Sequence, residues 1–104
     1  IDRAPEDFLL LPEILTKKGE NLVRLNKGPL AIVEFEHAAR LKPDYWPPFA
    51  LMSDYYRKVG DADAARRWLE LGLEGSPNAD ALTRRIRDLD AGSKAASNPQ
   101  PSKQ

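Results

Sequence analysis

The sequence contains no cysteine and only one histidine, His37. Without thiols the chain cannot form a disulfide, a thiolate zinc site or a cysteine nucleophile. Its longest apolar runs, such as Phe8 to Leu11, are far shorter than the ~20 residues that a membrane span needs. Neither sign of charge is in excess, because 16 lysines and arginines balance 16 aspartates and glutamates. We therefore expect no membrane span, and no net field that would attract the chain to nucleic acid.

The length of 104 residues fits a single domain, since domains typically contain about 100–150 residues. The first residue is Ile1 rather than methionine. We expect the chain to be part of a larger protein or to be released from a precursor. A soluble chain is predicted, and the sequence leaves both the cytoplasm and the periplasm open as its compartment.

An internal repeat appears when the sequence is offset by 34 residues against itself. Large residues then fall on large residues, and small residues fall on small ones. The matched pairs are Leu15 with Phe49, Gly19 with Ser53, Leu22 with Tyr56, Ala31 with Ala65, Phe35 with Leu69, Ala38 with Gly72 and Pro43 with Pro77. Within each unit the apolar spacing is helical, and a turn sequence divides the unit into two helices.

The spacing predicts helices at about 13–26, 29–41, 47–59, 62–74 and 79–91. In the first helix Ile14, Leu15, Leu22 and Leu25 are expected on the apolar side. Gly28 is expected to provide the left-handed exit from that helix. Asp61 is expected to cap the fourth helix, because an aspartate side chain can accept from exposed N–H groups there.

The two ends of the chain differ from the repeated part. The last helix has one narrow apolar stripe of Leu82, Ile86 and Leu89 and charged residues elsewhere, which is typical of a helix that caps a stack. The tail 93–104 has two prolines and little apolar content, so we expect it to be disordered. The segment 1–11 contains the apolar run that ends at Leu11, and we expect it to pack on the first hairpin or on a neighbour.

The anchor positions resemble those of the tetratricopeptide-repeat (TPR) family. Its 34-residue unit has large and small residues at these places and ends at a proline, as this chain does at Pro43 and Pro77. The resemblance implies an all-α fold, a short right-handed α-solenoid of two TPR-like helix-turn-helix hairpins (repeat 1 at about 12–45, repeat 2 at about 46–79) and a C-terminal capping helix at about 79–91. Lys18 departs from the family pattern, which has a large apolar residue there.

Catalytic and metal chemistry find little support in the residues. His37 could be a lone ligand, but a partly exposed helical histidine is the favoured interpretation. Asp61 and Asp63 could open a calcium loop, yet no closing glutamate follows in register, and helix capping explains both. Phosphate-binding glycine loops, nucleophile elbows and zinc-protease helices are missing from the sequence. We expect a protein that is not an enzyme and carries no cofactor.

Nucleic-acid binding is the weaker interpretation of the basic and aromatic residues. The tract Arg84 to Arg87 is the best candidate contact, but Asp88 and Asp90 follow it closely. Most of the aromatic residues are expected to pack between helices, with Trp46 the most exposed because it precedes two prolines. We therefore expect a protein or peptide partner rather than nucleic acid.

The TPR resemblance implies a concave groove formed by the first helix of each hairpin. Carried onto this sequence, the peptide-binding positions are Glu20, Val23, Arg24, Leu51, Asp54, Arg57, Lys58 and Arg85. One subgroup of the family clamps the carboxylate tail of chaperones, and of its binding residues only Arg85 is present here. Without paired cations a carboxylate gains too little to offset its desolvation, so this ligand is disfavoured.

Two functions follow from the sequence. The first is a scaffold or adaptor module for protein binding, which holds a partner polypeptide in the groove. The alternative is a homo-oligomerisation element, in which the apolar run that ends at Leu11 or an open end of the short solenoid pairs with another copy.

Overall fold

The computed structural model of the chain describes residues 11–97. These residues form five α-helices and no strand, so this part of the chain is all-α. The helices are α1 (Leu11–Arg24), α2 (Gly28–Leu41), α3 (Pro47–Lys58), α4 (Ala62–Gly75) and α5 (Asp80–Ser97). Phe8 to Leu10, which we expected to pack on the first hairpin, lie outside the described residues. Leu11, the end of that segment, begins α1.

Local sequence explains where the helices begin. Prolines occupy the first turns of α2 and α3, where a missing N–H costs no hydrogen bond. The carboxylate of Asp61 accepts a hydrogen bond from the backbone N–H of Ala64 at 3.0 Å, so the predicted N-cap of α4 is confirmed. Gly60, just before that cap, has φ of +91°, a conformation that glycine adopts without strain.

The expected role of Gly28 as a left-handed exit is wrong. The left-handed residue after α1 is Asn26, with φ of 63°, and Gly28 is already part of α2. Glycine is needed at position 28 for space instead, because a Cβ there would overlap the ring of Tyr55. The side chain that requires this glycine is 27 residues away in sequence and so could not be inferred from the local turn pattern.

The helices pack as two hairpins and one further helix. α1 packs chiefly against α2, and α3 packs chiefly against α4. α2 joins the two hairpins through its contact with α3, and α5 packs on α4. α3 also touches both α1 and α5, so the three helices lie side by side in the order α1, α3, α5.

The small residues of the repeat lie where helices meet. Ala31, Ala38 and Ala65 have no exposed surface, as the repeat predicted. A Cβ added to Gly19 would lie 2.5 Å from Cε1 of Phe35, which is itself fully buried. These positions admit only small side chains because the facing helix already fills the space.

Several expected details are corrected by the structure. Ile14 and Leu25, which were placed on the apolar side of the first helix, are 56% and 57% exposed. The last helix ends at Ser97 rather than near residue 91, so residues 93–97 of the tail that we expected to be disordered are helical. This stretch contains Lys94, Ala95 and Ala96, which favour helix in spite of their low apolar content. Residues 98–104 lie outside the described part.

Candidate functional site

A cleft of about 290 Å³ opens between α1 and α3. We call it the α1–α3 cleft. It is lined by Glu20, Val23 and Arg24 of α1, by Phe35 of α2, and by Leu51, Asp54, Tyr55 and Lys58 of α3. The α3 positions recur at intervals of three or four residues, which places their side chains on one face of the helix.

The floor of the cleft is apolar. Phe35 lies at the bottom and is fully buried, while Val23, Leu51 and Tyr55 are half-buried and line the walls. The Tyr55 ring also packs over Gly28, which ties this wall of the cleft to the start of α2. An apolar side chain that entered the cleft would leave water for a surface formed by three helices.

The rim of the cleft carries two carboxylates and two cations. One of the carboxylates, Asp54, is bound by Arg85 of α5, with Nε–Oδ1 at 2.9 Å and Nη2–Oδ2 at 3.1 Å. Within the described residues, no ion pair engages Arg24 or Lys58. The rim therefore offers two cations to a ligand while the charge of Asp54 is already balanced.

The hydrogen bonds from Arg85 to Asp54 raise the pKa of the Arg85 guanidinium above its ordinary value, and the negative charges of Asp54 and Asp88 add to this effect. Partial burial acts in the opposite direction and is outweighed. A second donor of the guanidinium, Nη1, binds the carbonyl oxygen of Ala81 at 3.0 Å. Arg85 therefore has a fixed orientation and a permanent charge beside the cleft.

Tyr45, in the connection between α2 and α3, is within the electrostatic influence of two carboxylates of α1. Burial raises the pKa of its hydroxyl, and the negative charges of Glu13 and Glu20 raise it further. The hydroxyl therefore remains protonated at neutral pH and can donate a hydrogen bond. Of these two acidic residues, Glu20 lines the cleft.

The structure brings most of the predicted groove residues together. Glu20, Val23, Arg24, Leu51, Asp54 and Lys58 line the cleft, and Arg85 joins them through Asp54. Arg57 is exposed and is not among the lining residues. The role of the predicted groove residues in binding stays a prediction.

Sequence reasoning did not include Phe35 and Tyr55 among the groove residues. Tyr55 follows Leu51 by one helical turn, and that spacing could have identified it. The repeat marks Phe35 only as one of its large residues, and the structure places it both in the core and at the floor of the cleft.

Two other kinds of candidate site are a metal centre and a second surface depression. Among the described residues, no group of three or more histidine, aspartate or glutamate side chains is arranged to hold a metal ion, and His37 is exposed. A second depression of about 560 Å³ lies between α2 and α4, where Glu36, Arg40, Trp68 and Leu71 contribute to its walls. In residues 11–97 no helix has the length and apolar character to cross a membrane.

Comparison with known proteins adds no information on the family or function of the chain. No protein-family model, no curated protein and no solved structure matches the chain.

Proposed function

We propose that the chain is a protein-binding module of TPR-like helical repeats, which holds a segment of a partner polypeptide in the α1–α3 cleft. The observation that carries the proposal is an apolar-floored cleft with two cations, Arg24 and Lys58, that have no ion-pair partner in residues 11–97. Such a cleft can bury an apolar side chain and bind a carboxylate beside it.

The size of the cleft favours part of a peptide over a complete small molecule. Pockets for small ligands usually have volumes of about 300–1,000 Å³ and enclose most of the ligand. At about 290 Å³ and open to solvent, the α1–α3 cleft has room for one or two side chains. A chain that runs along the cleft can place such side chains inside and leave its own backbone at the surface.

The charges of the rim specify the chemistry of the partner. Arg24 and Lys58 lie on opposite helices, so a carboxylate between them would approach both cations. Glu20 favours a basic or neutral residue next to that acid. The partner segment that fits best has an apolar residue next to an acidic one.

The arrangement of the helices supports a TPR-like solenoid as part of the same proposal. The 34-residue repeat matches buried small residues in both hairpins, and α1, α3 and α5 adjoin one another. In such a stack the first helices of the hairpins, here α1 and α3, lie side by side and form one wall. The cleft lies in that wall.

Selection from a display library of random peptides tests the proposal. The full chain serves as bait, and selected peptides are then measured by titration. We expect enrichment of an apolar residue beside an acidic one, and we expect the double variant Arg24→Glu/Lys58→Glu to lose these peptides.

A matched control reverses two exposed cations elsewhere, Arg67 and Arg87, and changes the net charge by the same amount. Equal losses in both double variants would show that net charge rather than the cleft binds the peptides. Failure to enrich any peptide above an unrelated helical protein would also contradict the proposal.

A further inference from the structure

The first hairpin has an exposed apolar face on the side away from α3. Ile14 of α1 and Leu25, the first residue after α1, are 56% and 57% exposed, and Leu30 and Leu41 of α2 are 55% and 38% exposed. A salt bridge between Lys18 Nζ and Glu34 Oε2, at 3.6 Å, crosses from one helix to the other on this side. We call these six residues the open face. On each helix they are spaced by four and then seven residues, so they form two adjacent stripes.

The internal repeat shows which positions of the second hairpin correspond to the open face. Moving each position by one repeat places Ile14 on Pro48, Lys18 on Met52, Leu30 on Ala64 and Leu41 on Gly75. In the second hairpin Pro48, Met52 and Ala64 are buried, and Gly75 is in contact with the carbonyl oxygen of Pro43. The equivalents of Ile14, Lys18 and Leu30 are thus covered where the first hairpin packs on the second, whereas Val59, the equivalent of Leu25, is 56% exposed.

At the other end of the described helices, the second hairpin already has a neighbour. There α5 packs on α4, and the Leu82 side chain fills the space beside Gly72. Since α5 already covers that end of the second hairpin, head-to-tail stacking of copies is disfavoured. A second copy can cover the open face most directly with its own open face, which gives a closed two-fold arrangement.

The charges of the open face complement themselves under a two-fold axis. Lys18 is on α1 and Glu34 is on α2, so rotation can bring Lys18 opposite Glu34 of the partner subunit and Glu34 opposite Lys18 of the partner subunit. The four aliphatic side chains would surround these pairs and leave water together. We propose that the open face is a homodimer interface, in which two copies pair through α1 and α2.

This interface is separate from the α1–α3 cleft. Glu20 and Arg24, which line the cleft, lie on the side of α1 that faces α3. A dimer formed through the open face therefore leaves both clefts accessible, and it would present two peptide sites per particle. The dimer does not depend on the proposed peptide binding.

Sedimentation equilibrium of the full chain over a wide concentration range tests the interface. We expect wild type to dimerise and Leu30→Asp to weaken the dimer at least about tenfold, because a carboxylate would be buried among aliphatic side chains. Leu71→Asp is the matched control, since Leu71 is 45% exposed on α4, and it should dimerise like wild type. Circular dichroism checks that both variants retain their helices.

Charge reversal tests the two-fold geometry. Lys18→Glu should weaken the dimer because like charges would then face one another, and the double variant Lys18→Glu/Glu34→Lys should restore it. The cleft variant Arg24→Glu/Lys58→Glu should dimerise normally. The proposal is overturned if wild type is monomeric at every concentration, if Leu71→Asp weakens the dimer more than Leu30→Asp, or if the double reversal fails to restore it.

Discussion

Arg85 of α5 holds the carboxylate of Asp54 on α3 with two parallel hydrogen bonds, of 2.9 and 3.1 Å. The same guanidinium binds the carbonyl oxygen of Ala81, one turn earlier in its own helix. This pair links α5 to the wall of the cleft and balances the charge of one of the two rim carboxylates. It is a contact between residues 31 positions apart that connects α5 to the candidate site.

The strength of this pair is predicted to be modest but measurable. The side chains of Arg85 and Asp54 are 31% and 47% exposed, so water screens their attraction. We expect a double-mutant cycle with Arg85→Ala and Asp54→Ala to give a coupling free energy of about 0.5–1 kcal/mol. Denaturant unfolding at low and high salt measures it, and the coupling should fall as salt rises. A coupling near zero at low salt would show that the two hydrogen bonds do not persist in solution.

Two glycines should respond in opposite directions to the same substitution. Gly19→Ala places a methyl group against the buried ring of Phe35, and overpacking of this kind costs about 1–3 kcal/mol. Gly92 is also helical, but a Cβ at that position would meet no other atom within 4 Å. Gly92→Ala should therefore stabilise the fold by about 0.5–1 kcal/mol through helix propensity. Thermal unfolding of both variants gives the comparison, and a stabilised Gly19→Ala variant would show that α1 and α2 are not packed this closely.

Position 65 should tolerate only a small side chain, as the repeat indicates. Ala65 has no exposed surface, so Ala65→Leu should lower the free energy of unfolding by about 1–3 kcal/mol. Ala91 is an exposed alanine in α5, and Ala91→Leu should change that free energy by less than about 0.5 kcal/mol. Urea unfolding measures both. Equal effects would contradict the packing of α4 against its neighbours.

Neighbouring cations on α3 should differ in their effect on peptide binding. Lys58 lines the cleft, whereas Arg57 is exposed outside it. For a peptide selected on the wild-type chain, we expect Lys58→Glu to weaken binding by at least about 1–2 kcal/mol, since charge reversal repels the acidic residue of the ligand. Arg57→Glu should change binding by less than about 0.5 kcal/mol. Calorimetric titration measures both, and the reverse order would place the binding surface outside the α1–α3 cleft.

Much of the helical architecture could be predicted because its causes are local. The proline-initiated helices and the Asp61 cap depend on residues within one turn of each other, and their positions agree with the structure to within a few residues. The burial of Ala31 and Ala65 followed from the repeat, which compares the chain with itself and so contains tertiary information. The last helix is longer than predicted because the helix propensity of Lys94, Ala95 and Ala96 extends it in spite of their low apolar content.

The candidate site was less predictable in its details. Helical spacing identified which side chains share a face, and six of the predicted residues do line the cleft. It did not reveal that Arg85 is paired with Asp54, or that Arg57 lies outside the cleft. Those outcomes depend on how far α1, α3 and α5 are rotated about their axes, and a single sequence does not specify this rotation.

The sequence by itself determined the number of helices in residues 11–97, the turns between them and the small residues at their contacts, because propensity, capping and side-chain volume act over short distances. Only the tertiary structure decided which surfaces remain open. Ile14 and Leu30 are as apolar as many core residues, yet they are exposed because no described helix packs on that side of the first hairpin. Burial is a property of the neighbours that a residue acquires on folding, and equivalent positions of the two hairpins, such as exposed Lys18 and buried Met52, acquire different neighbours.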